Sequence, residues 1–177
     1  MTAIVVFESM FGNTQQIAMD IAEGLRPFVE VSVLEVGQAP AHLDERIDLI
    51  VVGGPTHAFG MTRPSTRADA TEQANGALIS RGVGIREWLE ALPDDHRDVS
   101  VATFDTRIDK VRRLPGSAAR GAAKALRRHG DRVITKPESF YVTDMTGPLV
   151  DGERLRAQRW GEELGRLYRA TQVRSTG

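Results

Sequence analysis

A strand, a polar turn and a helix follow one another directly near the N-terminus, and this unit constrains the fold more than any other feature. The strand is predicted from the apolar run Ala3-Ile4-Val5-Val6-Phe7. The turn is Glu8-Ser9-Met10-Phe11-Gly12-Asn13-Thr14, and apolar residues then recur at helical spacing over residues 14–26. A helix N-terminus in such a turn presents unpaired N–H groups and a favourable dipole to an anion. The unit therefore predicts a phosphate-binding loop.

Two common phosphate loops are excluded by the residues of this turn. An ATP-binding loop ends in Gly-Lys-Ser/Thr, and a dinucleotide-binding loop has three spaced glycines; residues 8–14 have neither. A simpler interpretation is that Ser9 and Thr14 only cap the helix, which is a routine role for these residue types. The turn alone leaves both interpretations open.

Strands and helices alternate along the rest of the chain. The Val29, Val31, Val33 alternation and the apolar runs 48–53 and 99–104 predict three further strands. A last strand is predicted in two parts, at residues 133–134 and 140–142, interrupted near Pro137. The intervening helices are predicted at residues 85–92, 117–128 and 151–169. This order predicts an α/β fold with five parallel strands in a doubly wound sheet of three layers.

A polar segment, residues 61–82, interrupts the alternation. It is predicted to contain one short helix near residues 66–73 and to form either a functional lid or a plain surface loop. The chain is otherwise expected to form one domain over residues 1–172, followed by a tail at residues 173–177.

The turn after the first strand resembles the phosphate loop of the flavodoxin family, Ser/Thr-x-Thr-Gly-x-Thr, with Phe11 in place of the middle Thr. The Ser-Met-aromatic-Gly sequence is also similar to FMN-dependent quinone reductases and to the flavodoxin domains of flavodiiron proteins. A second resemblance is the turn Gly53-Gly54-Pro55-Thr56 after the third strand. The resemblance implies a flavodoxin-like fold with strand order 2-1-3-4-5, and FMN bound where strands 1 and 3 diverge.

The same resemblance assigns cofactor contacts to three loops, at residues 8–14, 54–61 and 103–110. His57 is expected to donate to the flavin edge or else to bond its own turn, and Phe59 to offer an aromatic face or to be a small core residue. The third loop follows the family's form poorly, which predicts that one flavin face is open. The expected cofactor-binding residues are Ser9, Met10, Phe11, Gly12, Asn13, Thr14, Pro55, Thr56, His57, Phe59, Gly60, Phe104, Asp105 and Arg107.

The composition argues against disulfides and several kinds of metal site. The 177 residues include no cysteine, which excludes disulfides, thiolate metal sites and iron–sulfur clusters held by this chain. The four histidines are scattered without metal-binding spacing, and no residue stands out as an acid–base catalyst. No apolar stretch approaches the roughly 20 residues of a membrane span, so a cytoplasmic location is expected.

Charge is unevenly distributed along the chain. Residues 107–136 contain ten Lys and Arg against two Asp, a local net charge of +8, while the whole chain has −1. Such a block is either a solvated helix face or a docking surface for an anionic partner. It would suit NADPH or an acidic redox protein; nucleic acid is not expected, because aromatic residues are not interleaved with the basic ones.

Three functions remain open from the sequence. The leading one is an FMN-binding electron-transfer protein that exchanges electrons with a redox partner protein, as a monomer or homodimer. The second is an FMN-dependent NAD(P)H:quinone reductase-type enzyme. The third is a flavin-free binding protein on the same fold, since a fold does not determine function.

Overall fold

A single parallel sheet organises the chain. The computed structural model describes residues 2–57, 60–73, 78–93 and 99–175. Within these ranges every strand pairing is parallel, in the order β2-β1-β3-β4, with β5 and β6 both paired to β4. The strands are β1 (Thr2–Phe7), β2 (Glu30–Glu35), β3 (Ile47–Pro55), β4 (Ser100–Ile108), β5 (Arg132–Val133) and β6 (Glu138–Val142). The predicted order 2-1-3-4-5 is confirmed, with the last strand in two parts.

The interruption of the last strand lies where Pro137 predicts it. The first part, β5, pairs with Ser100 and Val101, and the second part, β6, pairs with β4 from Phe104 to Ile108. Proline has no N–H to contribute to a ladder, so pairing stops before it and resumes afterwards.

Five helices lie among the described residues. They are α1 (Asn13–Leu25), α2 (Pro64–Gln73), α3 (Ile85–Ala91), α4 (Ala118–Arg128) and α5 (Glu153–Ser175). The short helix predicted inside the polar segment is α2. The last helix continues past its predicted end at residue 169 and includes part of the predicted tail. None of the helices in the described ranges is both long and apolar enough to cross a membrane.

Both faces of the sheet are covered. In β1, Ala3, Val5 and Phe7 belong to a core shared with α1 and α5, whereas Ile4 and Val6 belong to a core shared with α3 and α4. Apolar residues at consecutive positions are the pattern of a strand buried on two sides. The three layers place the carboxyl ends of the strands at one open edge, where ligands bind in doubly wound folds.

The layer of α1 and α5 is held by close helix contact. A Cβ on Gly24 would lie 2.0 Å from the carbonyl oxygen of Gln158, and a Cβ on Gly161 would lie 2.2 Å from that of Ile21. Only glycine permits this approach, which holds α5 closely against α1 on one face of the sheet.

Strand β4 is longer than predicted. The apolar run suggests an end at residue 104, but β4 pairs with β3 as far as Thr106 and with β6 as far as Ile108. Backbone pairing on both sides keeps the chain extended after the apolar residues end. The predicted loop at residues 103–110 is therefore wrong for residues 103–108, which are strand.

Candidate functional site

A cleft of about 200 Å³ opens at the carboxyl edge of the sheet, between the turn after β1 and the ends of β3, β4 and β6. Its position is the one that the topology of a doubly wound sheet predicts. It is lined by Ser9, Met10, Phe11, Asn13, Thr14, Pro55, Thr56, His57, Thr106, Arg107, Ile108, Val142 and Met145.

The turn after β1 is shaped by Gly12. This residue precedes α1 with φ of 91°, in the left-handed region that residues with a Cβ rarely adopt. Its N–H donates to Ser9 Oγ over 3.1 Å, which closes the turn. The serine side chain therefore stabilises the turn rather than capping α1 itself.

The first turn of α1 presents unpaired backbone donors. The N–H groups of Asn13, Thr14 and Gln15 are at the start of the helix, so the helix has no carbonyl four residues earlier to accept from them. None of the three bonds an acceptor among the described residues. The first turn also contains no acidic side chain. Together with the helix dipole, these donors favour an anion at this end of the cleft.

Thr14 adds a hydroxyl beside these donors. Its Oγ1 lies 2.7 Å from Oγ1 of Thr106 in β4, and both residues are buried. A hydroxyl has one proton to donate and can also accept, so Thr106 can donate to Thr14 while Thr14 donates onward. The pair can thus present one more donor to an anion.

A short segment of the polar insertion, the strap at residues 78–80, lies against the turn. Its N–H groups at Ile79 and Ser80 donate to the carbonyls of Met10 and Ser9 over 3.2 and 2.9 Å. Ser80 Oγ also accepts from the Ser9 N–H at 3.0 Å, and Leu78 packs on Met10. The strap pairs with the start of the turn and leaves the donors of α1 unpaired. The Met10 side chain is consequently buried, so only its backbone is available to a phosphate.

Glu8 anchors the turn to the opposite side of the sheet. It is 1% exposed, and its carboxylate accepts from the Ile85 N–H at 2.9 Å and from Thr62 Oγ1 at 2.5 Å. Arg67 lies beside it and forms an ion pair with Glu87 at 3.1 Å. Burial raises the pKa of Glu8, although these hydrogen bonds and Arg67 oppose the shift. Glu8 thus fixes the loop to α3 and to the insertion.

His57 lies just beyond the end of β3. Its backbone exchanges two hydrogen bonds of 3.0 Å with Gly60, while its imidazole has no hydrogen-bond partner among the described residues. Burial lowers the pKa of His57, so the neutral ring is favoured near pH 7. A half-buried neutral imidazole beside the cleft can donate to or accept from a bound ring. Phe59, also predicted here, lies outside the described residues.

Asp105 has a structural position rather than a place in the cleft. It is completely buried, and its Oδ2 accepts from Thr56 Oγ1 and from the Ala119 N–H, both at 3.0 Å. Thr56 Oγ1 in turn accepts from the Ala118 N–H at 2.9 Å. The carboxylate joins the end of β3 to the N-terminus of α4, and its contact with the flavin stays a prediction.

Phe104 also lies inside the protein. Its ring is fully buried and makes edge-to-face contacts with Phe140 and Trp160, at centroid distances of 6.3 and 6.4 Å. A Cβ on Gly53 would lie 2.1 Å from this ring, so glycine is required there for packing. Because β4 continues through residue 104, its side chain faces the layer of α5. Phe104 is not among the residues that line the cleft, and its predicted contact with the flavin stays a prediction.

Arg107 borders the cleft, but its guanidinium is engaged by the following loop. It donates to the carbonyls of Val111, Leu114 and Gly116 at 2.8, 3.2 and 3.3 Å. Arg107 therefore holds the loop before α4 in place. Pro55 and Thr56 line the cleft, whereas Gly60 lies in the next groove along the surface; their contacts with a cofactor stay predictions.

The sequence interpretation missed an apolar side of the cleft, which is formed by the ends of β4 and β6 and the turn after β6. Ile108, Val142 and Met145 form an apolar side of the cleft, and Met145 is 47% exposed. Asn13 Nδ2 donates to the carbonyl of Thr146, so the turn after β6 contacts the first residue of α1. The signal was available: β6 ends at the same edge of the sheet as β1 and β3.

Comparison with known structures identifies the architecture. A flavodoxin from the domain Archaea matches 96% of this chain and 99% of its own, with a TM-score of 0.62 and 18% sequence identity. The fold is flavodoxin-like. A WrbA-like flavodoxin from Agrobacterium tumefaciens matches 96% of this chain and 98% of its own, with a TM-score of 0.59 and 17% identity. The flavodoxin-like fold also matches a flavodiiron protein from Giardia intestinalis, over 96% of this chain but 36% of that one, at a TM-score of 0.60 and 17% identity.

At the level of sequence, no protein-family model matches the chain, and no curated protein is similar to it. At sequence identities of 17–18%, the likeness to these structures shows the fold and not the function. In the described part of the chain, no group of three or more His, Cys, Asp or Glu side chains could hold a metal ion.

Proposed function

We propose that this protein binds FMN at the cleft and acts as an electron-transfer flavoprotein. The observation that carries the proposal is the row of unpaired N–H donors at Asn13, Thr14 and Gln15, at the switch point between β1 and β3. A phosphate there would gain three backbone hydrogen bonds and the helix dipole. Flavodoxins and flavodoxin-like proteins among the structural neighbours support the choice of a flavin.

The residues of the cleft fit the two ends of FMN. The phosphate would meet the first turn of α1 and the Thr14 hydroxyl. The ring would meet the turn after β3, where Pro55 and Thr56 are held rigid and the neutral His57 reaches its edge. Bound FMN would supply the electron-accepting and electron-donating chemistry that this chain's side chains lack. The protein's own contribution is to hold the cofactor, set the groups at its edge and leave one side open.

A titration of the apo-protein with FMN, followed by flavin fluorescence, tests the proposal. Thr14→Val should weaken binding by about tenfold or more, because a hydrogen bond to a charged phosphate is lost. Thr103→Val is the matched control: Thr103 is also a buried threonine, and its hydroxyl donates to the Ala119 carbonyl at 3.0 Å, away from the cleft. Thermal unfolding of both variants separates lost affinity from lost stability. Equal affinities for FMN in the two variants would contradict the assignment of the phosphate site.

A second function, an NAD(P)H-dependent reductase, is favoured by the apolar side formed by Ile108, Val142 and Met145. A flat nicotinamide ring or quinone could approach a flavin from such a side, since apolar walls exclude water from a hydride transfer. Adding NADPH to the FMN complex without oxygen distinguishes the two functions. Loss of flavin absorbance at 450 nm, on the order of seconds to minutes, favours a reductase; a stable oxidised spectrum favours a carrier.

A further inference from the structure

A second concavity, the basic groove, lies between α3 and α4 next to the cleft. Its volume is about 480 Å³. Four Lys and Arg side chains and one histidine line it, against the single carboxylate of Glu90. The positively charged or titratable members are Arg86, Arg120, Lys124, Arg128 and His129.

Three of these cations form a row along α4. Arg120, Lys124 and Arg128 are spaced four residues apart, so they share one face of the helix and extend over about 12 Å. All three are exposed, and none forms an ion pair with a carboxylate of the described residues. A row of unneutralised charge beside a concave surface concentrates positive potential there.

The floor of the groove is fixed rather than adaptable. Arg86 donates to the carbonyls of Met61 and Thr62 at 3.1 and 3.2 Å, so it joins α3 to the insertion. A Cβ on Gly121 would lie 3.4 Å from Met61 Cε, which shows how closely α4 approaches the insertion. The exposed cations therefore stand beside a preformed floor that includes the apolar side chains of Met61 and Leu89, which is an arrangement suited to docking.

Hydrogen bonds join residues of the groove to residues of the cleft. Gly60 in the groove is hydrogen-bonded to His57 in the cleft, and Gly116 in the groove accepts from Arg107 in the cleft. A partner seated in the groove would therefore lie beside the proposed cofactor site.

We propose that the basic groove docks an acidic electron-transfer protein. The electron-transfer role rests on the proposed function, whereas the docking itself depends only on the row on α4. A row of charges about 12 Å long matches an acidic protein surface better than a single phosphate group. The groove has no Phe, Tyr or Trp among its described lining residues, so it lacks the large stacking surfaces typical of single-stranded nucleic-acid sites. At each encounter the reduced partner would lose one electron, and bound FMN would accept it.

A plant-type [2Fe–2S] ferredoxin, which has an acidic surface, is the probe. Calorimetry measures its binding to the apo-protein and to the FMN complex at low and moderate salt. The groove variant combines Arg120→Glu, Lys124→Glu and Arg128→Glu. Its control combines Arg127→Glu, Arg26→Glu and Arg46→Glu, which change the net charge equally at exposed positions outside the groove.

The groove variant should weaken ferredoxin binding by about tenfold or more and flatten its salt dependence, while the control stays within about threefold. Reduced ferredoxin should likewise reduce the FMN complex more slowly in the groove variant alone. Equal weakening in both variants, or no binding at low salt, would overturn the proposal. A single-stranded oligonucleotide that binds more tightly than ferredoxin through the same three residues would replace it with a nucleic-acid surface.

The two proposals fail in different ways. If FMN does not bind but ferredoxin still docks on the apo-protein through the row on α4, only the flavin assignment is wrong. If FMN binds and ferredoxin does not dock, only the groove proposal is wrong.

Discussion

The turn after β1 and the end of β4 reach the same edge of the sheet, but they use their polar groups differently. In the turn, the N–H groups that open α1 have no acceptor among the described residues. At the end of β4, Asp105 and Arg107 use their charged groups to hold neighbouring backbone in place. The first region is arranged for a ligand, and the second supports the loops around it.

The comparison teaches that polar residues at a strand end are not by themselves a binding site. Asp105 resembles a ligand contact in sequence, yet burial makes it a bracket between β3 and α4. Unpaired backbone donors are the more telling feature, because buried or half-buried donors are otherwise satisfied within a protein. Three pairs of substitutions test this division of roles.

The largest expected effect contrasts two phenylalanines. Phe104→Ala should lower the free energy of unfolding by about 3–5 kcal/mol, because it opens a cavity between Phe140 and Trp160. Phe11→Ala, at the half-buried wall of the cleft, should cost less stability but weaken FMN binding more. Urea unfolding and FMN titration of both variants measure the contrast. If folded Phe104→Ala loses affinity for FMN more than Phe11→Ala does, the division between core and cleft is wrong.

A smaller effect on stability is expected from removing the Asp105 carboxylate, which joins β3 to α4. Asp105→Ala leaves the Ala119 N–H and Thr56 Oγ1 without their acceptor, and should cost about 1–3 kcal/mol of stability. Asp109→Ala removes an exposed carboxylate from a surface ion pair, and should cost less than about 1 kcal/mol. Chemical unfolding compares them. A similar loss of unfolding free energy in the two variants would show that Asp105 does not hold β3 to α4.

The smallest expected effect is a dependence of the unfolding free energy on pH, caused by Glu8. Because burial raises the pKa of Glu8 in the folded state, its stabilising contribution is fully present below the unfolded pKa and is lost as pH rises through the folded pKa. Glu8→Gln should remove this loss, so the variant should gain stability relative to the parent as pH rises above about 4.5, with a slope below about 1.4 kcal/mol per pH unit.

Unfolding measured between pH 4 and pH 8 checks the slope. Glu163→Gln, at an exposed position on α5, is the control for loss of a carboxylate and should keep the parent's profile. A variant Glu8→Gln that follows the same profile as the parent would show that Glu8 does not carry the effect.

Most of the fold was predictable because the two-sided burial of parallel strands is visible as continuous apolar runs, as in β1 and β3. The position of the turn and its glycine were equally visible, since helix periodicity starts directly after Gly12. The end of β4 could not be predicted from the sequence. Residues 105–108 are mostly polar and suggest a loop, but pairing with β6 keeps them extended. The strap and the Met145 side of the cleft depend on contacts between residues far apart in sequence.

By itself the sequence determined the order of strands and helices, the phosphate-type turn and the concentration of basic residues after β4. These follow from local periodicity, glycine placement and charge, which act over a few neighbouring residues. Only the tertiary structure decided which polar groups stay unpaired. Asp105 bonds the N-terminus of α4, and Glu8 bonds that of α3. The strap pairs with the turn after β1, while the N–H donors that open α1 stay unpaired beside the cleft. The physical reason is that a polar group's partner is set by what packs beside it, and packing brings together segments that the sequence separates.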